Sequence, residues 1–259
     1  MNKFIYTNYP KEYGYIIGII SDFFLPFKIF LLKLGFEIYL GGKEQDKWVI
    51  KDIFKYKKKG YFIDLAAADG IRISNTFLLE KKYNWSGICI EPNYLFFQNL
   101  KNNRKCHCIR EVVMDKKKKI KFFENGGIGG IIGDQYDNNY QKRSSIIKKR
   151  SNRHKIKNYK SVALKSILKK FKAPKVIDYL SLDVEGAETI ILKKFPFKEY
   201  KFLTLTIERP TIYLNKILFK NGYKFVKNHK VDTYYIHESL QKKIKIKLEK
   251  FEQIGKKIW

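Results

Sequence analysis

The sequence predicts an α/β fold with a mostly parallel central sheet and helices on both of its faces. Short apolar runs alternate along the chain with longer segments of helical periodicity, which is typical of βαβ units. Two of these runs, at 60–65 and 175–182, each lead into an acidic turn. At 259 residues the chain is long enough for one such domain with extensions at both ends.

Residues 1–42 are predicted to form an apolar, helical N-terminal extension. Residues 13–40 are strongly apolar, but charges such as Lys28 and Lys33 leave no uncharged run of the ~20 residues that a spanning helix needs. No small-residue cleavage site follows, so a secretory signal is not predicted. We expect helices packed against the domain, with a surface-lying membrane anchor as the alternative.

The central domain is predicted to span residues 43–238. A helix at 44–57 leads into the first strand at 60–65, and strands and helices then alternate. The predicted elements that follow are helix 72–83, strand 86–91, helix 93–103, strand 105–113, an apolar run at 120–123, helix 161–171, strand 175–182, helix 187–194, strand 201–208, a helix before Asn221, strand 223–226 and strand 233–237.

Two segments depart from this alternation. Residues 126–160 are first glycine-dense and then polar and basic, and we expect them to cover the binding site as an insertion. A disordered basic connector is the alternative, because this composition buries little apolar surface. Residues 239–259 are predicted to form a basic amphipathic helix that docks on the domain, with membrane contact as the alternative.

The charge and the cysteine content limit the classes of partner and the cellular location that we expect. The formal net charge of +29, from 54 basic and 25 acidic residues, favours nucleic acid, an anionic membrane surface or an acidic glycan without choosing among them. A lysine-rich composition with abundant Ile, Asn, Tyr and Phe is also expected from an AT-rich bacterial or viral genome. Three cysteines indicate a reducing, cytoplasmic location, and we interpret Cys106-His107-Cys108 as a core strand rather than a metal site.

The first strand and its turn predict a cofactor loop. The run Tyr61 to Leu65 is followed by the small residues Ala66 to Ala68, then Asp69 and Gly70, so backbone N–H groups can approach a ligand. The loop lacks the Gly-x-Gly-x-x-Gly pattern, which disfavours NAD. An acid that ends the strand suits an ammonium and a sulfonium, as in S-adenosylmethionine. An ordinary strand-to-helix turn is the alternative.

The chain resembles the FkbM family of S-adenosylmethionine-dependent methyltransferases over roughly residues 43–237. The motifs that carry the resemblance are Phe62-Ile63-Asp64 to Gly70, Ser74-Asn75-Thr76, Trp85 to Asn93, Leu182-Asp183-Val184-Glu185-Gly186 and Thr206-Ile207-Glu208. The resemblance implies a Rossmann-like class I methyltransferase fold with a seven-stranded sheet and an antiparallel last strand. It also implies transfer to oxygen, often on a sugar or glycan. Ala66 departs from the glycine that relatives commonly have there.

Acidic and small polar residues at strand ends form the predicted cofactor site. We assign Asp64 and Asp69 to the methionine part and ribose, Glu91 to the ribose diol and Asp115 to the adenine edge. Ser74 and Asn75 could bind the cofactor carboxylate, and simple helix capping is their alternative role. The predicted cofactor-binding set is Asp64, Ala66, Asp69, Gly70, Ser74, Asn75, Glu91, Pro92, Asn93 and Asp115.

Asp183 and Glu208 are the predicted catalytic residues, because they end neighbouring strands. Two interpretations stay open: the two carboxylates bind Mg²⁺ or Mn²⁺, or Asp183 acts as a general base without metal. His229 and His237 near the last strand are interpreted as structural.

The predicted function is methyl transfer from S-adenosylmethionine to a saccharide hydroxyl. One alternative is an RNA (2'-O) methyltransferase, suggested by the charge. The Asp/Asn-Pro-Pro-Tyr/Phe element of amino-directed nucleic-acid enzymes is not present after the fourth strand, where the chain has Asp183 to Gly186. The other alternative is a non-catalytic module at a membrane surface, suggested by the apolar N-terminal segment and the basic tail.

Overall fold

A computed structural model describes residues 16–124, 129–136 and 155–254, with side chains described from Phe24 in the first range and from Ile156 in the last. Seven strands form the main sheet in the spatial order β10-β11-β9-β8-β1-β2-β3. The five strands from β9 to β3 pair in parallel, and β11 is antiparallel to β9 and β10. The main-sheet strands are β1 Tyr61–Leu65, β2 Ser86–Ile90, β3 His107–Ile109, β8 Val176–Leu182, β9 Lys201–Glu208, β10 Tyr223–His229 and β11 Asp232–His237.

The predicted α/β class, with a mostly parallel seven-stranded sheet between helices, is confirmed. A short helix α2, Gln45–Lys47, continues as a π-helical turn, Trp48–Ile53. The other described helices are α1 Ile16–Lys33, α3 Phe77–Tyr83, α4 Tyr94–Asn103, α5 Leu164–Lys170, α6 Glu188–Leu192, α7 Ile212–Lys220 and α8 Glu238–Gln241.

The alternating side chains of the strands bury two apolar layers. Along β1, Ile63 joins a cluster that contains residues of α5, α6 and α7 on one side of the sheet. Phe62 belongs to the cluster on the other side, where it packs with residues of α3, α4 and the π-helical turn. Both side chains are fully buried. The sheet is therefore covered on both faces, as parallel sheets generally are.

A second, four-stranded sheet lies beside the main one in the order β4-β7-β5-β6. Its strands are β4 Val112–Met114, β5 Lys119–Glu124, β6 Gly130–Ile131 and β7 Lys155–Ala163. The predicted strand 105–113 is therefore wrong as a single element, because the chain leaves the main sheet at Arg110 and Glu111.

The predicted loop over 126–160 is also only partly right. Residues 126–128 and 137–154 lie outside the described residues, but β6 and the start of β7 fall within the segment. Helix α5 begins at Leu164 rather than at 161, because β7 pairs with β4 through Ala163.

The C-terminal segment is not the predicted amphipathic helix. Beyond α8, residues 242–254 contain no further helix, and Ile244, Ile246 and Leu248 pack against the core cluster that contains Trp48. The run from Lys243 to Leu248 alternates lysine with an apolar residue, and this period of two suits extended chain better than helix. The segment docks on the domain.

The N-terminal helix α1 packs on the domain through one side. Leu25 and Ile29 are buried in a cluster with Leu40, Ile71 and Phe77. In the described part of the chain, no helix is long and apolar enough to cross a membrane.

The turn after β1 is held by a fully buried arginine, Arg104, at the end of α4. Its Nε lies 2.8 Å from an Oε of Glu80, and its two terminal nitrogens donate to the carbonyl oxygens of Gly70 and Thr76. The hydroxyl of Thr76 in turn donates to Asp64 at 2.6 Å. One guanidinium thus connects α3, α4 and the end of β1, and its charge is balanced by Glu80 in a desolvated setting.

Replacement of Arg104 by Met should therefore cost about 3–5 kcal/mol of unfolding free energy. It leaves the buried Glu80 carboxylate without its guanidinium partner, with Lys81 at 3.5 Å as the remaining cation. Urea denaturation followed by circular dichroism measures this difference. Lys101→Met on the exposed side of α4 is the control, with an expected change within about 0.5 kcal/mol. A loss for Arg104→Met no larger than that of the control would contradict the role of the network.

Candidate active site

A cavity of about 200 Å³ opens at the carboxyl ends of β1, β2, β8 and β9. Ligands bind at this edge in doubly wound sheets. One basic residue of the described ranges, Arg72, lines the cavity. Six carboxylates line it as well: Asp64, Glu91, Glu111, Asp183, Glu185 and Glu208. The cavity is therefore acidic within a chain of formal charge +29, and it suits a ligand that carries positive charge.

The loop after β1 adopts the backbone conformation that its small residues permit. Ala66 and Ala68 have φ values of 67° and 47°, in the left-handed region that a Cβ disfavours. The N–H groups of Ala66 and Ala67 both donate to the carbonyl of Ile90, at 2.9 and 3.1 Å, which joins the loop to the end of β2. The departure at Ala66 therefore falls where a glycine would be unstrained.

Glu91 lies at the end of β2 and lines the cavity. Its carboxylate accepts the N–H of Ala68 at 3.0 Å and that of Asn93 at 2.8 Å, one bond on each oxygen. Each oxygen keeps a second lone pair for a ligand hydroxyl. Burial raises the pKa of Glu91 to about 7, with smaller contributions from Asp64 and Asp69, while the two backbone donors oppose the shift.

Asp64 and Asn75 lie side by side at the cavity. Burial raises the pKa of Asp64 to about 6, although the hydrogen bond from Thr76 opposes the shift. The amide nitrogen of Asn75 donates to Ser181 at 2.9 Å, and among the described residues its oxygen has no hydrogen-bond partner although it is buried. An acceptor left unsatisfied beside an acidic pocket fits the ammonium of an amino-acid ligand.

The structure brings together seven of the ten predicted cofactor residues. Ser74 lines the cavity, and its hydroxyl also accepts the N–H of Phe77 at 3.1 Å, so the alternative role of helix capping applies to it as well. The members of the predicted set that line the cavity are Asp64, Ala66, Ser74, Asn75, Glu91, Pro92 and Asn93.

The other three predicted cofactor residues, Asp69, Gly70 and Asp115, do not line the cavity. Asp69 accepts the N–H groups of Ile71 and Arg72, so it shapes the turn from within. Gly70 lies beneath the loop, where a Cβ would come within 2.7 Å of the Arg104 side chain. Asp115 faces Lys193 at 3.8 Å.

Glu111 lines the cavity, whereas the predicted Asp115 does not. Val112 and Val113 line it together with Glu111, because the chain turns into β4 at this point instead of continuing β3. The apolar pattern of residues 105–113 predicts one continuous strand, so this turn could not be recognised from the sequence.

The predicted catalytic residues, Asp183 and Glu208, line the cavity at the ends of β8 and β9, away from Glu91 at the end of β2. Asp183, Glu185 and Glu208 bring carboxylate oxygens within 4.8 Å of one another, and the Asp183 side chain is 43% exposed. Burial and the charge of Asp183 raise the pKa of Glu208 to about 9. At neutral pH Glu208 therefore holds a proton beside an accessible Asp183.

Sequence reasoning missed Lys43, which lies behind this pair. Its Nζ is 3.8 Å from Asp183, 3.9 Å from Glu208 and 2.7 Å from Asp232. Burial disfavours its charge, but the three carboxylates outweigh that effect and raise the pKa of Lys43. Lys43 stands in the short segment between α1 and α2, and no periodicity connects it with the strand ends.

The carboxyl pair does not fit a divalent metal ion. The ammonium of Lys43 already lies within 4 Å of both Asp183 and Glu208, and Arg209 bonds the same Glu208 oxygen that faces Lys43. An added Mg²⁺ or Mn²⁺ would meet two fixed positive charges beside these carboxylates. The metal interpretation of the sequence is therefore not supported.

Comparison with known proteins gives one family match. A family model described as the methyltransferase FkbM domain matches residues 64–238. No curated protein matches the sequence.

Several solved structures are similar to the chain. One is a methyltransferase FkbM from Methylobacillus flagellatus KT, with 12% identity, a TM-score of 0.46 and coverage of 76% of this chain and 48% of that chain. The chain thus spans about half the length of that protein. Another is TrmK of M. capricolum with S-adenosyl-homocysteine, at 10% identity, a TM-score of 0.39 and coverage of 77% and 68%.

A third is a TehB-like SAM-dependent methyltransferase from Corynebacterium glutamicum ATCC 13032 Kitasato, at 8% identity, with a TM-score of 0.37 and coverage of 85% and 98%. At these TM-scores the structural similarities carry no argument of their own. The family match covers most of the chain and carries the assignment.

Ala66→Gly should raise the unfolding free energy by about 0.5–1 kcal/mol, because it relieves the left-handed strain at this residue. Ala67→Gly is the matched control: its φ is not positive, so the added chain entropy should lower the unfolding free energy by about 0.5–1 kcal/mol. Thermal and urea unfolding measure both variants. Equal effects of the two substitutions would contradict the strain at Ala66.

Binding of S-adenosylhomocysteine should weaken as pH falls below about 7, approaching tenfold per pH unit. The physical reason is that ribose hydroxyls donate to the ionised form of Glu91, which gains a proton below its raised pKa. Isothermal titration calorimetry from pH 5.5 to 8.5 follows the dissociation constant. Glu91→Gln should weaken binding about 10- to 100-fold at pH 8 and flatten the dependence near pH 7. An unchanged dissociation constant across this range in the wild type would remove the assignment of Glu91.

Proposed function

We propose that this chain, which belongs to the FkbM methyltransferase family, transfers a methyl group from S-adenosylmethionine to a hydroxyl of a sugar or glycan. The family match establishes an S-adenosylmethionine-dependent methyltransferase with a Rossmann-like fold. The saccharide hydroxyl is the proposal. The observation that carries it is the accessible Asp183 carboxylate, which lies beside a protonated Glu208 at the end of the cavity away from Glu91.

The residues around the cavity fit the cofactor. Glu91 has free lone pairs for the ribose diol, and the unsatisfied oxygen of Asn75 suits the ammonium of the methionine part. Asp64 adds negative charge between them. When bound, S-adenosylmethionine supplies an electrophilic methyl group on a positively charged sulfur, and the acidic lining compensates that charge.

The chain's contribution to the reaction is to position the acceptor and to take its proton. A sugar hydroxyl is a weak nucleophile at neutral pH, so a base that accepts its hydrogen bond orients the oxygen and removes the proton as the new bond forms. Asp183 is the base in this proposal, because it is the accessible member of the pair. The ammonium of Lys43 lies 3.8 Å from the Asp183 carboxylate, on the side away from the acceptor in this proposal.

The local charge favours a neutral saccharide over a nucleic acid as acceptor. Asp183 and Glu185 lie at the acceptor end, and phosphate groups brought beside these carboxylates would meet like charge. Carboxylates are, in contrast, good acceptors for the hydrogen bonds of sugar hydroxyls. The basic side chains described at this end, Lys43 and Arg209, are already engaged by Asp183, Glu208 and Asp232.

Asp183→Asn should lower kcat about 100-fold or more, because the amide cannot take the proton, while affinity for S-adenosylhomocysteine stays within about twofold. Methyl transfer from labelled S-adenosylmethionine and calorimetry give the two quantities. Glu199→Gln, at an exposed surface site, is the control and should change neither. Full activity in Asp183→Asn would exclude Asp183 as the base.

The acceptor class is tested by supplying labelled S-adenosylmethionine together with panels of neutral oligosaccharides, acidic oligosaccharides and short RNAs. We expect label on a neutral saccharide, in a bond stable to mild base as an ether is. Activity should persist in EDTA, since no step uses a divalent ion. Labelled RNA without labelled saccharide would overturn the proposed acceptor and leave the family assignment in place.

A further inference from the structure

Over its described side chains, from Phe24 to Lys33, the helix α1 carries apolar residues on both of its sides. Its inner side is held on the domain by Leu25 and Ile29, which are buried against Leu40, Ile71 and Phe77. A helix that already packs through one face normally presents charged and polar residues on the other. Helix α1 does not follow this rule.

The outer face of α1 carries Phe24, Phe27 and Phe30, and Leu34, the first residue beyond the helix end, continues this spacing of three and four residues. The last three of these side chains are 57%, 54% and 59% exposed, and Phe36 beyond the helix end is exposed to a similar degree. Single exposed apolar residues are common on protein surfaces, but a contiguous aromatic stripe marks an interaction site.

Basic residues surround this outer face. Lys28 and Lys33 belong to the same helix, and Lys82 donates from its Nζ to the carbonyl of Gly35 at 3.2 Å, which places it beside Leu34 and Phe36. Two acids are also present: Asp22 belongs to α1, and the carboxylate of Glu37 accepts from Tyr39 and Tyr83 and lies 3.7 Å from Lys82. An aromatic stripe with lysines around it is the composition of segments that lie in the interface of a bilayer.

We propose that the outer face of α1 docks on the surface of an anionic phospholipid bilayer. The phenylalanine rings enter the boundary between headgroups and acyl chains, and the lysines contact lipid phosphates. A second copy of the chain is a poorer occupant, because each copy carries a formal charge of +29 and lysines would face lysines across the contact. An anionic surface, in contrast, is attracted by the same charge. The proposal does not depend on which acceptor the enzyme uses.

The test is flotation of the full chain with phosphatidylcholine vesicles that contain about 30% phosphatidylserine, at low and at physiological salt. We expect the wild type to float with these vesicles and to bind pure phosphatidylcholine more weakly. The double variant Phe27→Ser/Phe30→Ser should lose about tenfold or more in vesicle affinity, because two buried rings are removed from the lipid. Circular dichroism and binding of S-adenosylhomocysteine should be unchanged in that variant, which shows that it is folded.

A matched control removes apolar surface elsewhere. Ile212 and Tyr213 on α7 are 62% and 60% exposed, so Ile212→Ser/Tyr213→Ser takes away comparable exposed surface and should float like the wild type. Three results would overturn the proposal: no flotation of the wild type, equal loss in both double variants, or full flotation of Phe27→Ser/Phe30→Ser. A dimer in sedimentation that only Phe27→Ser/Phe30→Ser dissociates, without vesicle binding, would assign the face to a second copy.

Discussion

The buried guanidinium of Arg104 is the interaction on which the binding loop depends. It bonds Glu80, the carbonyl of Gly70 and the start of α3 through Thr76, which in turn bonds Asp64. Any other arrangement of the turn would leave charged groups buried without these partners. The free-energy cost of that burial favours the arrangement seen here. Through Thr76 the network also holds Asp64 in place at the cavity.

The second organising feature is the contrast between the charge of the chain and the charge of its cavity. Lysine dominates the composition, yet carboxylates at four strand ends meet at one edge of the sheet. Where burial and crowding disfavour the charged forms, the pKa values of Glu91 and Glu208 rise. In the proposed reaction the two ends of the cavity differ in function: Glu91 binds hydroxyls of the cofactor, and Asp183, beside Glu208, takes the proton of the acceptor.

Much of this architecture could be predicted from the sequence. The apolar runs at 61–65, 86–90 and 201–208 are buried strands, and the acids that follow such runs meet because parallel strands end at the same edge. Ala66 could be recognised as an unfavourable residue for the loop, since the turn chemistry is local. These features depend on neighbouring residues, which a single sequence displays.

The features that the sequence did not reveal depend on contacts between distant residues, or on a segment whose apolar residues fit both helical and extended spacing. Arg104 and Lys43 act through partners far along the chain, and neither stands in a motif. The split of 105–113 into β3 and β4 arises from pairing with β7, a strand that starts in the basic segment. In the C-terminal segment the apolar residues fit a helical stripe, but they also recur at every second position. The chain is extended there, and these side chains pack on the core.

The central claim is that the acidic cavity holds the methyl donor with its ribose at Glu91 and its sulfur toward Asp183. A crystal structure with S-adenosylhomocysteine tests this most directly. The account predicts both ribose hydroxyls within hydrogen-bond distance of the Glu91 carboxylate, the amino group at the oxygen of Asn75, and open space between the sulfur and Asp183. A ligand bound outside this cavity, or with its ribose away from Glu91, would contradict it.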